Sequence, residues 1–260
     1  MFKNLKQIIP ELKISDARLE IENNYKNFKS DCTKILDSYE PNGFRTAKIY
    51  RVMHEDILNL KKLLEVMFYP DLLDHIKSLF DQVYIVNNFY CTINGYSNVR
   101  HRDGQSMGFN KKALLASKKI FKVIIYLNDN DKSEGGGISL CPVNSNPIEI
   151  FKEEKLFTKI NYYIENYIKK KIIIRVNNKI GDVLLMDSNV WHSATPRKKI
   201  YNQNEVSKIY TAYEFVTDRE VAEFYSSHIK NEYKIKTSND NFPKELLNLL
   251  TLKKINLIPL

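Results

Sequence analysis

The chain has 260 residues, 43% of them hydrophobic, with a formal net charge of +9. That length buries a substantial core without staples, and no run approaches the roughly 18 apolar residues needed to span a bilayer. Three widely separated cysteines, Cys32, Cys91 and Cys141, argue against a disulfide framework and a cysteine zinc site and fit a reducing, cytoplasmic setting. Residues 1–6 lack the apolar core of a secretory signal. The basic clusters Lys169-Lys170-Lys171 and Arg197-Lys198-Lys199 are short, and no nucleic-acid motif accompanies them. The charge therefore reads as a lysine-rich solvated surface, with an anionic substrate as the alternative.

In chain order, residues 1 to about 80 read as mainly helical. Ile57, Leu60, Leu63, Leu64 and Met67 recur at helical spacing, and Pro70-Asp71 starts a second helical run through Leu72, Leu73 and Ile76. Glu40-Pro41-Asn42-Gly43 is a turn signal. The pattern changes at residue 83. Val83 to Ile93 is rich in β-branched and aromatic residues and reads as strand, with Asn94-Gly95 turning the chain.

Ile120 to Leu127 is a second strand, closed by Asn128-Asp129. Gly135-Gly136-Gly137 leads into Ile138-Ser139-Leu140-Cys141. Ile148-Phe151 is a strand candidate and 157–168 a helix or an inserted loop. Ile172 to Val176, Val183 to Asp187 and Ile209 to Val216 are further strands, the middle one opened by Gly181-Asp182. Helical periodicity returns from Asp218. Many short strands between helical ends predict one domain: helical to about 80, a jelly-roll core over about 83–216 and a helical tail over about 218–260.

His101 and Asp103 flank one residue, so in an extended segment both side chains project to the same face. His192 follows Trp191 at the end of the Gly181-Asp182 strand. Two histidines and one carboxylate make the facial set that suits non-haem Fe(II) and leaves coordination positions open.

Taken together, several segments resemble the Fe(II)/2-oxoglutarate-dependent dioxygenases, and among them the phytanoyl-CoA-dioxygenase-like branch. These are His101-Arg102-Asp103, the strand Ile124 to Asp129, Glu134 to Leu140, Gly181 to Met186 and Trp191-His192-Ser193, with Pro142-Val143-Asn144-Ser145 as a loose further match. The likeness covers about residues 83–216. It implies a double-stranded β-helix (cupin-like jelly roll) with flanking helices. It also implies iron held by His101, Asp103 and His192, 2-oxoglutarate and O₂ as co-reactants, and hydroxylation of an unactivated C–H in a small molecule.

The family's cationic anchor for the distal carboxylate of 2-oxoglutarate commonly lies about ten residues after the distal histidine. Here the candidates are Arg197 and Lys208. Lys208 is preferred because it opens the strand where that anchor lies. Tyr210, on the same strand face, and Tyr90 are candidates to hydrogen-bond the cosubstrate or line the pocket. A carboxylate at 103, where related halogenases carry Gly or Ala, points to hydroxylation rather than halogenation. Two other readings are a cupin-like metal enzyme that does not use 2-oxoglutarate and a non-catalytic jelly-roll module for anionic ligands. Oligomeric state and primary substrate are not encoded in any motif.

Overall fold

The computed structural model describes residues 2–25, 34–40, 43–93, 103, 116, 118–129, 137–141, 174–194, 208–233 and 242–258. The core is a large sheet facing a small one. The large sheet runs in the order β1 (Phe2–Leu5), β8 (Val183–Asp187), β5 (Ile120–Tyr126), β10 (Ile209–Val216), β4 (Tyr84–Ile93), β3 (Gly43–Met53) and β2 (Lys34–Glu40), and β11 (Asn256–Ile258) adds to β4 in parallel. The small sheet is β7 (Ile174–Val176), β6 (Ile138–Cys141) and β9 (Trp191–Ala194). This is a mainly β jelly-roll core with flanking helices, as the pattern of short strands predicts.

The two faces of the large sheet have different partners because side chains alternate along each strand. Phe121, Val123 and Ile125 of β5 face one way, with Tyr213 and Phe215 of β10. They pack on α1 (Glu11–Asn24), α3 (Lys61–Met67), α4 (Pro70–Leu79) and α6 (Lys244–Leu252). Pro70 sits at the start of α4, where its missing N–H costs nothing. The other face carries Ile124 and Tyr126 of β5, Ala212 of β10, Tyr90 of β4 and Leu184 and Met186 of β8. It packs against Ile138, Leu140 and Val176 of the small sheet. β5 is therefore buried on both sides along its whole length, and its apolar run, broken by Lys122, is what such a strand requires.

The expectation of a mainly helical stretch to residue 80 needs correction. β1 adds to β8 from 180 residues away in the chain, and β2–β3 extend the sheet beyond β4, with Tyr50 to Met53 pairing Ile93 to Tyr90. Among the described residues there, the helices are α1, α3, α4 and the single turn α2 (His54–Ile57). The expected tail helices are present as α5 (Arg219–Tyr233) and α6, but the chain then returns to the sheet as β11. The elements expected at 148–151 and 157–168 lie outside the described residues. Among the described residues, no helix is long and apolar enough to cross a membrane.

The Gly181-Asp182 pair docks the N-terminus. Gly181 takes φ +86, and a Cβ there would stand 2.4 Å from the backbone oxygen of Ile9, so no side chain fits. Asp182, buried, accepts hydrogen bonds from the Gln7 amide (3.0 Å), the Lys179 amide (3.0 Å) and the Lys6 ammonium (2.7 Å). Asp182→Ala takes the acceptor from the Gln7 and Lys179 amides, while exposed Lys6 keeps water and the Asn177 carbonyl, and is expected to cost about 3 kcal/mol. In thermal denaturation that is a fall in Tm of roughly 6–12 °C. A loss below about 1 kcal/mol would show that water replaces the carboxylate.

Candidate metal centre

Asp103 and His192 are 89 positions apart in sequence, yet they meet at the inner face of the core: His192 Nε2 stands 3.7 Å from Asp103 Oδ2. His192 comes from β9, where it pairs Leu140 of β6, and is 6% exposed. Its Nδ1 is 3.0 Å from the Val190 carbonyl oxygen. That contact places a ring proton on Nδ1 and turns Nε2, the nitrogen left for a metal, toward Asp103. Two cis ligands each about 2.1 Å from one metal stand about 3 Å apart. The observed separation thus comes within a small side-chain adjustment of what a metal needs, and an imidazole with a carboxylate is the donor chemistry Fe(II) takes. His101 lies outside the described residues, as do Arg197 and the Pro142–Ser145 stretch. Among the described residues, no three His, Cys, Asp or Glu side chains form a metal-binding group.

The second feature of the site has no counterpart in the sequence reading. Lys122, in the middle of β5, is 7% exposed, and its Nζ lies 2.6 Å from Asp103 Oδ2 and 3.6 Å from Glu214 Oε1. The strand register explains the second contact, since Lys122 and Glu214 are direct partners across β5 and β10. The ammonium also sits 5.6 Å from the centre of the Tyr90 ring, within cation–π range. Burial by itself pushes an ammonium toward neutrality. Here the charges of Asp103 and Glu214, with the Tyr90 oxygen, outweigh it and hold Lys122 well above its ordinary pKa. Glu214 is itself fastened: Tyr225 of α5 donates to its Oε2 at 2.5 Å, and Asn88 Nδ2 approaches the same oxygen at 3.4 Å.

Further along the same face lies a second cation. Lys208 is 4% exposed, and its Nζ stands 5.5 Å from the centre of the Tyr210 ring. Tyr210 is flanked by Tyr126 and Tyr90, with ring centres 6.1 and 6.5 Å away. Burial pushes the hydroxyls of Tyr90 and Tyr126 far above their ordinary pKa, so both are neutral groups able to donate a hydrogen bond. The start of β10 is held by Asn128, whose Oδ1 accepts from the Ile209 amide at 2.7 Å, and by a Leu127 N–H to Ile209 O bond of 3.0 Å. Asp129 in turn accepts from the Ile180 amide at 2.8 Å. Asn128-Asp129, read from the sequence as a strand ending, is thus also what places Lys208.

The face therefore carries cations at two levels. Glu214, level with Lys122, is six residues from Lys208 along β10, about 20 Å of extended backbone. Lys122, Glu214, Tyr126, Asn88 and Tyr225 were not singled out in the sequence. A signal for the first two exists: each interrupts an otherwise apolar strand at a position that shares its face with Ile124 or Ala212.

The sequence matches no protein-family model and no curated protein. The structure is similar to several solved enzymes. One is the non-heme alpha ketoglutarate dependent carbocyclase SnoK from nogalamycin biosynthesis, at TM-score 0.57 and 13% identity, covering 83% of this chain and 79% of that one. Another is HygX from Streptomyces hygroscopicus, solved with nickel and 2-oxoglutarate bound, at TM-score 0.53 and 17% identity, covering 83% and 82%. A third is the non-heme alpha ketoglutarate dependent epimerase SnoN from nogalamycin biosynthesis, at TM-score 0.53 and 10% identity, covering 83% and 77%. At these identities the likeness is one of fold: the chain has the jelly roll on which these enzymes are built.

Proposed function

We propose that the protein is an Fe(II)- and 2-oxoglutarate-dependent oxygenase that hydroxylates a C–H bond of a small molecule. The observation that carries the reading is the meeting of Asp103 with His192 Nε2 on the inner face of this fold. His101, two residues before Asp103, is the third proposed ligand. When bound, Fe(II) with chelated 2-oxoglutarate supplies O₂ activation, yielding succinate and CO₂ alongside the oxidised substrate.

The chain's own residues supply orientation and exclusion of water. The Val190 carbonyl keeps His192 in the tautomer that donates through Nε2. Lys208 is the proposed partner of the distal carboxylate, with the neighbouring Tyr126, Tyr210 and Tyr90 as proposed hydroxyl donors. Apolar Ile124, Leu184 and Met186 line the space between the sheets, where a charge-assisted bond gains strength from the absence of water. Asp103 favours hydroxylation over halogenation because its carboxylate takes the position a halide would need. SnoK and SnoN carry out cyclisation and epimerisation on this fold, and HygX has been solved with hygromycin B bound. The reading therefore extends to other hydrogen-abstraction outcomes on a polar small molecule.

Anaerobic addition of Fe(II) and then 2-oxoglutarate is expected to develop the weak visible charge-transfer band of the chelate. No band at saturating concentrations would overturn the reading and favour a jelly-roll binding module or a metal enzyme of another kind.

A further inference from the structure

Lys122 does not fit a role as anchor for the distal end of a five-carbon diacid. Its ammonium lies directly against Asp103, at the same carboxylate oxygen that faces His192. A second carboxylate waits beside it. Glu214 presents Oε1 at 3.6 Å, while its other oxygen is occupied by Tyr225 and Asn88. We propose that Lys122 is an internal cation with two seats, Asp103 and Glu214, and that it sets the metal affinity of the site by contending with the metal for Asp103. The inference rests on the reading of Asp103 and His192 as metal ligands.

A divalent ion bound by Asp103 would stand only a few ångströms from the ammonium in its present seat. Like charges at that distance repel strongly even at the effective dielectric of a protein interior. Glu214 offers an exit of about 1 Å, the difference between 3.6 Å and a charge-assisted hydrogen bond of about 2.8 Å. The lysine stem is flexible, so the β5 backbone need not move.

The seat is also built rather than incidental. Glu214 is 3% exposed, lies opposite Lys122 in the β5–β10 register, and is fixed from behind by α5 through the Tyr225 hydroxyl. With only one carboxylate in reach, a metal would leave a buried ammonium uncompensated, a costly arrangement. With two, each cation keeps a partner.

The test is anaerobic titration of the full chain with Mn(II), read by electron paramagnetic resonance of the unbound ion. Lys122→Met is expected to bind Mn(II) about ten-fold more tightly than the parent chain, because the contending charge is gone. Glu214→Gln is expected to bind about ten-fold more weakly, because Lys122 stays on Asp103. The double variant is expected to regain the tight binding of Lys122→Met.

If Lys122 only orients Asp103 as a metal ligand, Lys122→Met weakens binding and Lys122→Arg restores it, which overturns the proposal. Should Lys122→Met fail to fold, Lys122→Gln gives the same reading with a side chain that still hydrogen-bonds. Thermal melts with and without Mn(II) supply an independent measure. Metal should raise the Tm of the Lys122 variant more than that of the parent chain, since tighter binding gives a larger shift. His192→Ala separates the two levels. If it binds Mn(II) like the parent, the metal-site reading itself fails. If it loses the metal while Lys122→Met binds no tighter than the parent, the two-seat proposal alone fails.

Discussion

Replacing His192 with alanine is expected to abolish 2-oxoglutarate turnover and to weaken Fe(II) binding by more than about 100-fold. The magnitude follows from comparison with outer-shell partners, whose loss typically costs 10–100-fold in affinity; a direct ligand carries more than that. The effect on folding should be much smaller. Loss of the imidazole's hydrogen bond to the Val190 carbonyl is worth about 1 kcal/mol. Anaerobic Fe(II) titration alongside thermal denaturation separates the two effects. Near-native Fe(II) affinity in a folded His192→Ala protein would remove this residue from the metal centre. Such a result would leave its approach to Asp103 as ordinary packing between the sheets. His101→Ala, run beside it, is expected to give the same loss and tests the proposed third ligand.

Lys208→Ala is expected to raise the apparent KM for 2-oxoglutarate by about 10–100-fold while leaving Fe(II) affinity nearly unchanged. A hydrogen bond to a charged group contributes about 1.5–3 kcal/mol, which is that range as a ratio of affinities. The prediction depends on burial: Lys208 is enclosed with Tyr210 on the inner face, where a carboxylate would meet the ammonium largely out of water. An exposed lysine at the same place would contribute little. Lys208→Arg is expected to retain part of the affinity, because charge is kept while the shape of the donor changes. Steady-state kinetics over a range of 2-oxoglutarate concentrations is the measurement. If Arg197→Ala produces the rise in KM and Lys208→Ala does not, the anchor is Arg197.

Both predictions use residues that stand out in the sequence for local reasons. His192 and Asp103 are of residue types that ligate metals, and His192 lies in β9 with its ring facing Asp103. Lys208 is recognisable because Ile209 to Val216 reads as a strand and the lysine opens it. Lys122 was passed over for the same local reasons. In a single apolar run, one lysine looks like a strand interrupted by a surface charge. Only the register across to Glu214, and the approach of Asp103 from another part of the chain, make it a buried cation between two carboxylates.

The hairpin β2–β3 shows the same limit from the fold side. Its turn signal was visible at Glu40 to Gly43. Its membership of the sheet depends on Tyr50 to Met53 meeting the far half of β4, and no local pattern reports that meeting.

By itself, the sequence located most of the core strands between 83 and 216, although it ran Val183 to His192 together where the structure has β8 and β9 in different sheets, and through the H-x-D spacing it indicated the class of chemistry to look for. These follow from residue type and from periods of two or a few residues, which are local properties of a chain. The tertiary structure alone decided that β1 closes onto β8, that Asp182 ties the N-terminus to that strand, and that Lys122, Asp103, Glu214 and His192 share one charged cluster. Pairing partners 90 or 180 residues apart are selected by burial of whole faces and by compensation of buried charge. Both are sums over the folded chain and leave no periodic trace along it.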